Sequence, residues 1–97
     1  MTYTIRWKDC QKSNAVASHF ESKIARFEDF RFIIPEVKAE IVYYPKNQSF
    51  TTRINLQVIK KGMLRAEANA HDVLTSINEA VDRIIDQLRR VKTKYEK

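Results

Sequence analysis

The sequence predicts an α+β fold: a two-layer sandwich in the order β-α-β-β-β-α, with both helices on one face of a four-stranded sheet. Two observations predict it. Four segments alternate apolar and polar residues with a period of two, and two others repeat apolar residues every three to four. Each strand therefore has one wet face, and each helix has one apolar stripe that needs cover. One layer of helices on one side of one sheet satisfies all six.

The first strand is read from Tyr3, Ile5 and Trp7, which alternate with Thr4, Arg6 and Lys8. Ser13 or Asn14 can then cap a helix, because a short side-chain oxygen accepts from the orphan N–H groups of a first turn. Val16, Phe20, Ile24 and Phe27 follow at helical spacing and predict about four turns. Glu28 to Glu36 has no clean period and contains Pro35, so it reads as a connection whose aromatics plug the edge of the core.

Val37, Ala39, Ile41 and Tyr43 alternate with Lys38, Glu40 and Val42; Ile54, Leu56 and Val58 alternate with Arg53, Asn55 and Gln57. Turn chemistry at Pro45-Lys46-Asn47-Gln48-Ser49 and at Lys60-Lys61-Gly62 links these strands to a third, Met63 to Asn69, in an antiparallel meander. Asp72 is a suitable N-cap for the closing helix, whose stripe is Val73, Ile77, Val81, Ile84, Leu88 and Val91.

Composition narrows the function. Ninety-seven residues suffice for one domain, 1–97, and its 43% hydrophobic content is that of an ordinary globular chain. Apolar runs are too short to span a bilayer, so a soluble, cytoplasmic protein without membrane partners is expected. The single cysteine, Cys10, fits a reducing compartment and reads as an inert thiol. His19 and His71 lack partners at metal-ligand spacing, and one glycine cannot build a phosphate-binding loop. Asp82 and Asp86, one turn apart among arginines, read as surface ion-pair partners. No catalysis, cofactor, metal or small-molecule substrate is expected.

Eighteen Lys or Arg against twelve Asp or Glu give a net charge of +6, and the cations are not scattered. At about 100° per residue, Arg83, Arg90, Lys94 and Lys97 fall within roughly 40° of one line on the closing helix, with Gln87 between them. That line lies roughly 120° from the apolar stripe, so it should be exposed beside the sheet. His19, Lys23 and Arg26 form a second stripe on the first helix, and if both helices pack on one side of the sheet the two stripes can border a common groove. Any one of these charges, taken alone, reads as a solubility device. Together they point to the phosphates of nucleic acid, with counterion release favouring association. Trp7, Phe20 and Phe27 fall on core faces, leaving Tyr43, Tyr44 and Tyr95 for base stacking. Recognition of structured RNA by shape and backbone fits better than a single-strand platform.

A family resemblance adds to this reading. The stretch His71 to Arg83, followed by Gln87-Leu88-Arg89-Arg90 and Lys92-Thr93-Lys94, resembles the second helix of the ribosome hibernation-promoting factors, also called ribosome-associated translation inhibitors or protein Y. Lys23-Ile24-Ala25-Arg26-Phe27-Glu28 and Leu64-Arg65-Ala66-Glu67-Ala68 extend the resemblance upstream. It implies a fold like that of double-stranded-RNA-binding domains and a non-enzymatic protein in the decoding region of the small ribosomal subunit. There it would bind ribosomal RNA, exclude messenger and transfer RNA, and hold ribosomes in hibernation under stress.

Carried over by position, the resemblance implies RNA contacts by Lys23, Arg26, Arg83, Arg89, Arg90, Lys92 and Lys94. Ile85-Asp86 departs from a common Glu-Arg pair and puts a carboxylate beside the stripe. Long forms of the family add a second domain that drives ribosome dimerisation, so pairing through such a domain or another factor is the further partnership implied. Two alternatives stand beside this reading. One is a general double-stranded-RNA module; the other is a protein-interaction or dimerisation domain using a sheet face with Arg6, Arg53, Gln57 and Arg65.

Overall fold

A computed structural model describes residues 1–95, with side chains through Lys94. Its elements are β1 (Thr2–Lys8), α1 (Asn14–Ile24), a 3-10 segment (Ala25–Asp29), β2 (Ile33–Tyr44), β3 (Ser49–Val58), β4 (Gly62–Ala70) and α2 (Val73–Tyr95). The order β-α-β-β-β-α is the one the periodicities predict. The strands lie in the order β1-β2-β3-β4. β2, β3 and β4 form the antiparallel meander, and β1 joins β2 in parallel, Ile5 opposite Ala39. A parallel neighbour requires a crossover, and α1 supplies it.

Residue alternation then divides the sheet. Ile41, Thr52 and Ala68 share one register row on the inner face, as do Ala39, Ile54 and Ala66. Against them pack Phe20, Ile24 and Phe27 from the first helical segment and Ile77, Val81, Ile84 and Leu88 from α2, all at most 1% exposed. Burying each such side chain contributes roughly 1.5–3 kcal/mol, which is why the apolar stripes dictate the layer arrangement. Tyr3 seals the α1 end, its ring 5.7 Å from that of Phe20.

Both predicted caps form. Ser13 Oγ accepts from the N–H of Val16 at 3.3 Å, and Asp72 Oδ2 accepts from the N–H of Thr75 at 3.0 Å. One polar pair bridges the layers: Thr52 Oγ1 and Ser76 Oγ, both fully buried, lie 2.8 Å apart, and Ser76 Oγ also donates to the carbonyl of Val73 at 2.7 Å.

Three local readings are corrected. The first helix is α-helical only to Ile24, and its last turn tightens into the 3-10 segment that carries Phe27. The second strand begins at Ile33, inside the expected connection; the irregularity falls between Ile33 and Val37, around Pro35, which has no N–H to give the ladder. Val42 lies on the outer face as expected but is buried, like Thr51 and Ser49 on the same face, although their register neighbours Lys8, Tyr44 and Asn69 are exposed.

Candidate nucleic-acid interface

α2 meets the free edge of β4 through polar contacts. Arg83 donates to the carbonyl of Glu67, and Gln87 Nε2 donates to the carbonyl of Arg65 at 2.8 Å. The spacings match: one helical turn advances about 6 Å and two strand residues advance about 6.8 Å. An edge strand presents carbonyls with no ladder partner, and this flank of α2 satisfies two of them. Arg90 and Lys94 continue the flank toward the helix C-terminus, are exposed, and have no carboxylate within ion-pair distance among the described residues. Lys97 lies outside the described residues.

The opposite flank of α2 faces α1. His19 Nε2 and Asn78 Oδ1 are 2.7 Å apart, and Arg26 Nη1 reaches Asp82 Oδ1 at 3.0 Å. The two basic stripes therefore do not border one groove, which corrects the expectation: Arg83, Arg90 and Lys94 run beside β4, whereas His19 and Arg26 face the other side of the helix. The reason lies in the angles. Asn78 and Asp82 sit about 100–140° around the helix from Arg83, so docking α1 on the former turns the latter away.

The seven candidate residues thus separate into two groups. Lys23, half-buried, and Arg26 belong to the interhelical side, and by helical angle Arg89 and Lys92 project toward that side of α2. Here the charge is diluted: Asp82 takes Arg26, and Asp86 Oδ1 lies 3.7 Å from Arg89. Ile85, in the departure noted above, is 3% exposed and belongs to the core. Arg83, Arg90 and Lys94 form the second, more uniformly cationic group.

The outer sheet face carries a different pattern. Register places Arg6, Glu40, Arg53 and Glu67 in one row of alternating charge. Arg53 reaches Glu67 and Glu40 at 2.8 Å each and donates to the Tyr44 hydroxyl at 3.4 Å. Its guanidinium is held still more firmly protonated than an ordinary arginine, chiefly by the Glu67 carboxylate. The row is internally compensated.

Aromatic stacking groups are scarce. The Tyr43 ring rests 4.9 Å from that of Phe50 and is half-buried, while Tyr44 is 36% exposed beside Arg53. The Tyr95 side chain lies outside the described ones. His71 is exposed and contacts the carbonyl of Gln48 at 3.1 Å. Cys10, half-buried, directs its sulfur toward the carbonyl of Ile41 at 3.5 Å, and burial pushes its thiol pKa up. Among the described residues no group of three or more His, Cys, Asp or Glu could hold a metal, and no helix is long and apolar enough to cross a membrane.

Sequence reading missed two cations of the β4 flank. Lys60 and Lys61, read only as turn residues, are exposed at the β3–β4 hairpin. Their signal was present in the meander order, since the hairpin must lie at the end of β4 toward which α2 returns.

Comparison with known proteins gives concordant results. The family model described as sigma 54 modulation protein / S30EA ribosomal protein matches residues 3–96. The N-terminal domain of Protein Y from Thermus thermophilus superposes with a TM-score of 0.81 at 22% identity, covering 94% of this chain and 99% of that one. A ribosomal subunit interface protein from Coxiella burnetii gives 0.82 at 16% identity, covering 96% and 99%. These likenesses establish a shared fold.

Proposed function

The chain belongs to the sigma 54 modulation protein / S30EA ribosomal protein family, whose members are ribosome-associated factors, and on that premise we propose that it binds ribosomal RNA in the decoding region of the small subunit. As one ribosome-binding domain acting in the cytoplasm, it occupies the space of messenger and transfer RNA and holds the ribosome inactive under stress. One observation carries the RNA assignment: the β4 flank of α2 ends in Arg90 and Lys94, exposed and without carboxylate partners among the described residues. Unpaired cations of this kind release counterions from phosphates on binding. Arg83 supports the same flank, and Lys23, Arg26, Arg89 and Lys92 supply a second, weaker cationic surface between the helices.

The row Arg6–Glu40–Arg53–Glu67 argues against the outer sheet face as the main anion site, because its charges already neutralise one another. Co-sedimentation with purified small subunits over a salt series tests the proposal. Binding should weaken steeply, by roughly 0.7–0.9 logarithmic units per tenfold salt for each phosphate contact. Pelleting that ignores salt would sink the phosphate reading. Equal competition by an unrelated RNA duplex would instead leave a general double-stranded-RNA module. Addition to a translation extract should lower synthesis in proportion to subunit occupancy.

A further inference from the structure

α2 runs antiparallel to β4, with Arg83 level with Glu67 and Gln87 level with Arg65. One helical turn therefore passes two strand residues. Continuing that register, the remaining turns to Lys94 bring the helix end level with the start of β4 at Gly62, beside the hairpin Lys60-Lys61-Gly62. Two cationic segments about thirty residues apart in sequence converge there. Lys60 and Lys61 are exposed and, like Arg90 and Lys94, have no carboxylate within ion-pair distance among the described residues.

The hairpin is held in place rather than trailing. The N–H of Ile59 donates to the carbonyl of Phe32 at 2.8 Å, and the N–H of Lys61 donates to the carbonyl of Val58 at 3.3 Å. The Phe30 and Phe32 rings contact each other beneath that anchor, 5.8 Å apart. Within the turn Lys60 has φ +67°, the left-handed region in which Gly or Asn is far less costly than a long side chain. Gly62, two residues on, has φ +85°.

We propose that the β3–β4 hairpin is a phosphate-binding element, in which Lys60 and Lys61 act with Arg90 and Lys94 to hold one stretch of RNA backbone across the end of the sandwich. This rests on the RNA-binding reading above. Lysine suits the task because its ammonium is a compact charge on a flexible stem that can follow a backbone without fixed geometry. The hairpin extends the α2 flank around a corner of the molecule and enlarges a line of charge into a surface.

The full chain carrying Lys60→Gly with Lys61→Ser is compared with one carrying Arg90→Ser with Lys94→Ser, against intact small subunits and against protein-free small-subunit ribosomal RNA. Glycine relieves the left-handed strain as it removes the charge, so the melting temperature of the hairpin variant should hold or rise. Its affinity for both probes should fall several-fold, and the salt slope should drop by about 0.7–0.9 for each cation removed. If the helix variant weakens binding and the hairpin variant does not, the hairpin inference fails while the RNA reading stands. If neither variant changes binding to either probe, the RNA reading fails and takes the inference with it. A hairpin variant that weakens binding to intact subunits but not to protein-free RNA would overturn the assignment by showing that the hairpin meets a ribosomal protein.

Discussion

The guanidinium of Arg83 donates to the main-chain carbonyl of Glu67, so a residue of the basic stripe also closes the free edge of the sheet. Arg83→Met should therefore cost stability, about 0.5–1 kcal/mol given the exposure of the contact, and Gln87→Met a similar amount. Arg90→Ser should leave stability within about 0.5 kcal/mol while weakening RNA binding. Urea unfolding midpoints measured beside subunit affinities would separate the two roles. Equal stability of the Arg83 and Arg90 variants would show that the edge contact contributes nothing.

The buried hydroxyl pair between sheet and helix predicts an asymmetry. Ser76 Oγ donates to Val73, so Thr52 must donate to Ser76. Ser76→Ala leaves the Thr52 hydroxyl unsatisfied in the core and should cost roughly 1–3 kcal/mol, whereas Thr52→Val leaves the Ser76 donor satisfied and should cost less. The double variant should recover part of the Ser76→Ala loss, a sign readable from a double-mutant cycle. Strictly additive losses would contradict the assigned donor direction.

Asp72 accepts from both the N–H and the hydroxyl of Thr75, at 3.0 and 3.1 Å. Asp72→Ala should lower stability by about 1 kcal/mol, through loss of the cap and of a negative charge at the positive end of the helix dipole. For a domain of this size that corresponds to a fall of roughly 4–8 °C in the melting temperature. Asp72→Asn should retain most of the cap, and calorimetry of the three proteins would check the order.

The raised pKa of Cys10 fixes the sign of its pH response. Burial disfavours the thiolate, so alkylation by iodoacetamide should be slow at neutral pH and accelerate only above the usual thiol range. Because the folded pKa lies above the unfolded one, whatever stability the neutral thiol contributes is fully present below the unfolded pKa. It is lost as pH rises through the folded value. Reaction as fast as that of free cysteine at neutral pH would contradict the burial.

Periodicity made the layers legible because Phe20, Ile24, Ile77, Val81, Ile84 and Leu88 repeat at helical spacing while Ile54, Leu56 and Val58 alternate. It could not reveal the strand at Ile33, where Pro35 breaks the ladder and mimics a loop. Nor could it place the helices relative to each other around their axes. That orientation depends on pairwise contacts between residues 56 and 59 positions apart, Arg26 with Asp82 and His19 with Asn78. One-dimensional spacing contains no record of them, so the two stripes were joined in expectation and lie apart in the structure. Arg90 and Lys94 could be found from angle alone. Lys60 and Lys61 required the meander as well.

The parallel seam between β1 and β2 bears on time as well as on shape. β2, β3 and β4 find their partners through short turns, but Thr2 must meet Glu36 across the whole first helical segment. Closing that larger loop costs more chain entropy and is rewarded only after α1 has docked. The meander with α2 should therefore assemble first and β1 should settle onto it last. In native-state hydrogen exchange the amides of Tyr3, Ile5 and Trp7 should open before those of Ile54 and Leu56, although all five side chains point into one core.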